Sequence, residues 1–239
     1  GVVEVLSGGF AAFAKAHPSL CIQPPNSAGH SSARGVIDLT PRGADGAKPA
    51  DCCLTLDGGR FHVWVGGARD ANDRALFERA RVTHVINTTA GLPCRFKGAA
   101  PAASVGQAVG DAPPLRPEYL KLGLEDTAET DIRAHLDECC AFLDRARAAA
   151  AAAAASTSAS ASSAAEATAA SLSWSSHSAL VHCHMGRSRS VTIAAAYAAH
   201  TLGIGSAAEA IAVIKAKRAE AAPNRGFVAQ LDSWIAEKK

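Results

Sequence analysis

The stretch Leu180-Val181-His182-Cys183-His184-Met185-Gly186-Arg187-Ser188-Arg189-Ser190 constrains this chain more than any other. Leu180 to His182 read as a short buried strand. Val191 to Leu202, apolar nearly all round, reads as a central buried helix. A short turn between strand and helix points several backbone N–H groups inward, and the helix N-terminus adds positive potential, so the unit is an anion site. Gly186 permits a backbone conformation that a side chain would obstruct.

A thiol in such a place loses its proton easily, because helix N-termini and nearby cations lower a Cys pKa from about 8.5 to ~3.5–7.5. Cys183 is then a nucleophile at neutral pH. Arg189 can fold back over the turn and grip two phosphate oxygens in a bidentate fork. The Ser190 hydroxyl can hydrogen-bond the thiolate and later ease its departure from a phosphoenzyme. Two blander readings compete. An inert buried Cys leaves Gly186, Arg189 and Ser190 at these offsets unexplained. A metal site from His182, Cys183 and His184 fails on strand geometry, since the two His face one way and Cys the other. The redox consequence is that a low-pKa thiolate oxidises readily, and Cys94, Cys139 or Cys140 could resolve a sulfenate.

Elsewhere, Phe61 to Val65, Val82 to Asn87 and Tyr119 to Leu124 read as strands. Asp70 to Arg81 suits a helix, and a second helix begins at Asp131, with Ile132, Leu136, Cys139, Cys140 and Leu143 at helical spacing. Ser206-x-x-Glu209 is a capping box, and a last helix is predicted around Phe227 to Ile235. Strands alternating with helices, then a run of helices, imply an α/β layer fold. Residues 23–58, rich in Pro, Gly, Ser and Asp, read as a linker, and residues 91–118, interrupted by Pro and Gly, as a surface loop. Residues 148–176 are an Ala/Ser low-complexity insertion, expected to be disordered or a frayed helix.

The formal net charge of +2 is too near neutral for wrapping nucleic acid or a polybasic membrane contact. No apolar run approaches the ~20 residues that span a bilayer. Seven Cys at irregular spacing argue against a secreted disulfide framework, so cytoplasm or nucleus is the expected compartment.

The sequence from His182 to Ser190 matches the His-Cys-x5-Arg-Ser signature of protein tyrosine phosphatases, and with Gly186 and Ser188-Arg189-Ser190 it resembles the dual-specificity branch. Val63 to Ala71, Val82 to Asn87 and Pro223-Asn224-x-x-Phe227-x-x-Gln230-Leu231 are similar to flanking stretches of that family, in order, over residues 59–237. The resemblance implies a mostly parallel twisted sheet flanked by helices, with no metal or cofactor. It implies hydrolysis of phosphotyrosine and phosphoserine/threonine through a cysteinyl-phosphate, with a phosphorylated protein as partner. It places the phosphate in the loop His184, Met185, Gly186, Arg187, Ser188 and Arg189, with His182 ordering that loop and Arg187 as a rim charge. Asp126 falls at the general-acid position, and Glu125 and Asp131 are its rivals. The spacing from Asp126 to Cys183 is longer than the family's, and the Ala/Ser insertion accounts for the excess. Residues 59–239 are thus the expected catalytic domain. Val5 to Phe13, with Pro18, Leu20 and Cys21, is similar to the end of a rhodanese-like domain, so residues 1–22 would be its remnant. That domain precedes the catalytic one in MAP kinase phosphatases, which makes a MAP kinase the implied substrate. The competing functions are a phosphatase-like module that binds phosphoprotein without turnover, and a phosphatase of a non-protein ester.

Overall fold

The computed structural model describes residues 50–98, 116–160 and 177–239. All of them belong to the unit spanning Thr40–Lys239. The remnant expected at residues 1–22 lies outside the described residues. The strands are β1 (Asp51–Leu56), β2 (Phe61–Gly66), β3 (Val82–Asn87), β4 (Glu118–Lys121) and β5 (His177–His182). The helices are α1 (Arg74–Arg79), α2 (Leu136–Ser160), α3 (Arg189–Leu202), α4 (Ala207–Lys215) and α5 (Arg225–Glu237). The sheet order is β1-β2-β5-β3-β4; β1 and β2 are antiparallel and the other pairs parallel. This is the mixed α/β sheet flanked by helices that the sequence predicts.

Strand alternation sorts the core into two faces. Val63, Val65, Ala179, Val181 and Ile86 join one apolar cluster with residues of α2, α3, α4 and α5. Leu180, Val82 and Val85 join the other, with Leu76 and Phe77 of α1 and the half-buried Trp64. The central β5 therefore has no polar face, as the near-continuous apolar run Ala179-Leu180-Val181 requires. Every residue of α3 from Ser190 to Ala199 is buried, which explains its lack of a polar stripe.

Three elements depart from the sequence expectation. The linker proposed for 23–58 ends in structure: residues 51–56 form β1, because Leu54 and Leu56 alternate inward and a tight turn at Asp57–Gly59 folds the strand onto β2. The helix expected over 70–81 is a 3-10 turn at Asp70–Asn72 followed by α1, since Asp73 is extended and its carboxylate caps Leu76 N–H at 3.1 Å. The helix expected from Asp131 begins as a 3-10 turn at Arg133–His135 and becomes α-helical at Leu136. Of the two forms expected for the insertion, helix holds over residues 148–160, where α2 continues to Ser160. Alanine favours helix, Ala146 and Ala150 are buried against the core, and Arg147 reaches back to ion-pair with Asp57. Residues 161–176, the rest of the insertion, and 99–115 of the surface loop lie outside the described residues.

The strand expected at 119–124 pairs only over 118–121, yet the chain keeps its course. Leu122 N–H donates to Asn87 C=O at 2.8 Å and Leu124 N–H to Thr88 C=O at 3.1 Å. The register sets Gly66 and Asn87 against His182 on either side, and Lys121 against Asn87. The C-terminal ends of β2, β3, β4 and β5 thus meet at one sheet edge, the usual location for a site in a parallel sheet. Among the described residues no single helix is long and apolar enough to cross a membrane.

Candidate active site

The turn after β5 is held from outside. Ala68 N–H donates to His184 C=O at 2.8 Å, and Ala222 N–H to Arg187 C=O at 2.8 Å. Arg218 donates to Gly186 C=O at 2.6 Å and to Met185 C=O at 3.4 Å. Ser188 C=O accepts from Thr192 N–H at 2.9 Å within α3. With each carbonyl from 184 to 188 tied outward, the amides are left to face inward. Gly186 takes φ +70°, a region that penalises any Cβ, and a Cβ there would stand 2.7 Å from Arg218 Nη2 and from the Gly66 backbone.

The amides converge on Cys183, whose side chain is buried. Gly186 N–H donates to Cys183 Sγ at 3.1 Å and Ser190 Oγ at 3.3 Å. Burial alone would raise the thiol pKa. The Ser190 hydroxyl and the backbone N–H groups of Ser190, Arg187 and Gly186 outweigh it, and the net result is a lowered pKa.

Arg189 opens α3. Its Nη1 donates to Leu124 C=O at 2.8 Å, and its Nε lies 3.5 Å from Asp126 Oδ2. Asp126 is also bound to the turn itself: its Oδ1 accepts from Ser188 Oγ at 2.6 Å and from Asn224 Nδ2 at 3.0 Å. The two rivals fall elsewhere. Asp131 caps Ala134 N–H at 3.1 Å, and Glu125 is exposed, as Asp126 is, so it is the bonds to Ser188 and Asn224 that distinguish Asp126.

His184, Met185 and Arg187 lie exposed on the turn, Met185 at 51%. Arg187 Nε reaches Glu220 C=O at 3.4 Å, so the rim charge is partly anchored. His182 is buried and neither ring nitrogen makes a hydrogen bond of normal geometry. Burial pushes its pKa down to about 4, which the neighbouring Cys183 backbone only partly offsets. The imidazole is therefore neutral, and what ties this position to the sheet is its carbonyl, which accepts from Thr88 N–H and Thr88 Oγ1, each at 3.0 Å. His182 is buried and His184 exposed, so they do not share a face, and no cluster of three metal-ligating side chains occurs among the described residues. Cys139 and Cys140 are core residues of α2 whose thiols burial pushes up, Cys140 to about 12, so neither is a ready thiolate.

Sequence reasoning missed Arg218, fully buried and paired at 2.9 Å with Asp51 of β1. It sits in Lys215-Ala216-Lys217-Arg218, which reads as a solvated run; only the structure shows that the last of these turns inward. Asn224 was visible as part of a motif, but not its contact with Asp126.

Residues 162–237 match the family described as dual specificity phosphatase, catalytic domain. No curated protein matches the chain. Among solved structures, human DUSP28 is 24% identical, with a TM-score of 0.54, covering 80% of this chain and 95% of its own. DUSP15 is 24% identical, with a TM-score of 0.52 and coverages of 78% and 87%. A human protein described as tyrosine phosphatase-like serine/threonine/tyrosine-interacting protein is 19% identical, with a TM-score of 0.52 and coverages of 80% and 97%. At these identities the structures establish the fold. The family match extends over residues 162–237, and it is this part of the chain, with the turn at Cys183, that is similar to the dual-specificity phosphatase catalytic domain.

Proposed function

We propose that this chain hydrolyses phosphate monoesters on protein tyrosine and serine/threonine side chains through a cysteinyl-phosphate. The observation that carries this reading is the Cys183 thiol, which receives N–H and O–H hydrogen bonds inside a turn to which Asp126 is directly bonded. Cys183 Sγ attacks phosphorus while Asp126 gives a proton to the leaving oxygen. Arg189 leaves its contact with Leu124 and Asp126 to take two phosphate oxygens, and the loop N–H groups of residues 184–189 take the others. Such preorganised donors are worth several kcal/mol in a dry site (roughly 3–4 for one donor). Water, with Asp126 now acting as base, then cleaves the S–P bond, and Ser190 hydrogen-bonds the departing thiolate.

A phosphorylated protein in a reducing compartment, cytoplasm or nucleus, is the proposed partner. A MAP kinase is proposed on the resemblance of residues 5–21 alone. The reaction needs no metal. The test is phosphate release from a peptide bearing both phosphothreonine and phosphotyrosine, by wild type, Cys183→Ser and Asp126→Ala under reducing conditions. Release from both residues, abolished by the Cys change and strongly reduced by the Asp change, is expected. Binding of the peptide by wild type without any release would overturn the catalytic reading and leave a phosphoprotein-binding module.

A further inference from the structure

The start of α5 grips the segment that carries Asp126. Asn224 is the N-cap of that helix: its Oδ1 accepts Phe227 N–H at 2.9 Å, which fixes the amide so that Nδ2 is the donor left over. Nδ2 donates to Asp126 Oδ1 at 3.0 Å and to Thr127 C=O at 3.3 Å. The Asn224 backbone N–H donates to Ser188 Oγ at 3.2 Å, and that hydroxyl in turn donates to the same Asp126 Oδ1. One turn on, Gly226 lies so close to Ala128 that a Cβ would stand 2.1 Å from its carbonyl oxygen. Gln230 accepts from Ile132 and Arg133 N–H at 2.9 and 3.1 Å and donates to Thr130 C=O at 2.9 Å. The whole segment from 126 to 133 is fastened to one face of one helix.

The asymmetry at the carboxylate is informative. Both neutral donors use Oδ1, leaving Oδ2 as the oxygen free of them, 3.5 Å from Arg189 Nε. A proton carried on Oδ1 would compete with two donors already aimed at it, whereas Oδ2 loses the cation beside it when Arg189 swings onto a phosphate.

We propose that Asn224 is the positioning residue of the general acid: with Ser188 it holds Asp126 Oδ1, so that Oδ2 carries the proton to the leaving oxygen. This rests on the reading of Asp126 as the acid. Asn224 touches no reacting atom. It fixes the direction in which the O–H bond breaks as the P–O bond breaks. A misplacement of about 1 Å can cost ~10²-fold in such a step.

Asn224→Ser isolates this role, because serine caps a helix about as well as asparagine but has no amide to reach Asp126. The assay is kcat/KM for a series of aryl phosphates, from strongly to weakly acidic phenols, and for an alkyl phosphate. Esters whose leaving group needs no proton should keep wild-type rates within about 2-fold. The poorest leaving groups should lose ~10- to 100-fold, within the 10²–10⁴ that general acid catalysis supplies. Adding Asn224→Ser to Asp126→Ala should cause no further loss. Equal loss across the series, or none, overturns the proposal. If Asp126→Ala itself shows no leaving-group dependence, the acid has been misassigned. If wild type turns over no ester, the phosphatase reading falls as well. Iodoacetate labelling of Cys183 at an unchanged rate in Asn224→Ser would show that the phosphate loop is intact.

Discussion

Replacing Arg218 by methionine removes the donor that holds the outer side of the phosphate loop while keeping most of the side-chain volume. The guanidinium is 2% exposed and satisfies three acceptors: Gly186 C=O at 2.6 Å, Met185 C=O at 3.4 Å and Asp51 Oδ2 at 2.9 Å. Breaking a buried pair by deleting one partner costs about 3–5 kcal/mol, mostly through the charge left behind. Asp51 retains 20% exposure and rehydrates in part, which places the loss near the lower bound, about 3 kcal/mol. A domain of this kind has about 5–15 kcal/mol in hand, so Arg218→Met should remain folded and measurable. Arg218→Lys, which keeps the charge but not the fork, should lie between the two. Urea unfolding gives the stability, and orthovanadate inhibition reports the loop. Vanadate should bind at least ~10-fold more weakly to Arg218→Met, because the loop amides that would face the anion are no longer held in place through the Met185 and Gly186 carbonyls. Turnover should fall by one factor for all leaving groups, in contrast to Asn224→Ser. Stability within ~0.5 kcal/mol of wild type, the scatter of an ordinary surface change, with unchanged vanadate affinity would refute the brace.

Two further predictions follow from the ionisation of the loop. The rate of Cys183 alkylation by iodoacetate should level off at a pH below the ordinary thiol range, and Ser190→Ala should move the inflection upward, because the Ser190 hydroxyl is the foremost of the groups that lower this pKa. An inflection at the ordinary value in wild type would remove the case for a resting thiolate. His182 has its pKa depressed from 6.5 to about 4, so the unfolded state binds a proton that the folded state refuses. Stability should therefore be fully present above pH ~6.5 and fall as the pH drops towards 4, by about 3 kcal/mol at most from this residue. Urea unfolding at pH 7 and pH 4.5 should show a smaller difference for His182→Gln than for wild type; an equal difference would mean that the ring does not titrate as its burial requires.

The phosphate turn was legible in the sequence because its chemistry is local. Gly186 and Ser190 bond Cys183 from within seven residues of it, and strand and helix on either side are marked by apolar composition. Asp126 was legible by resemblance rather than by pattern, since a carboxylate before threonine usually caps a turn; its contact with Ser188 is what separates it from Asp131, which does cap one. Arg218, Asp51 and Asn224 were not legible in these roles, because each acts through a partner more than thirty residues away or on the far side of the sheet. β1 was hidden for a related reason. Its apolar residues are few and flanked by Pro and Gly, and it is fixed by pairing with β2 rather than by its own periodicity. For residues 148–160 composition left disorder and frayed helix open; two small side chains reaching the core and one arginine ion pair favour the helix, which extends the packed turns of Leu136 and Phe142.

The position of the Ala/Ser insertion explains why a long, simple sequence can stand between Asp126 and Cys183, the proposed acid and nucleophile. Described structure stops at Ser160 and resumes at His177, which begins β5 and pairs with Phe61 at the start of β2. That is the N-terminal edge of the sheet. Cys183 leaves the same strand at its other end, about 20 Å away for six residues at ~3.3 Å each. Added length at the entering end changes neither the register of β5 nor the bonds that fix its exit, because Gly66, Asn87 and Thr88 set those from neighbouring strands. Asp126, in turn, is located by bonds to Ser188 and Asn224 rather than by the chain that joins it to Cys183. Spacing along the sequence is a poor guide to this site, and hydrogen bonds from α5 and from the loop itself are the better one.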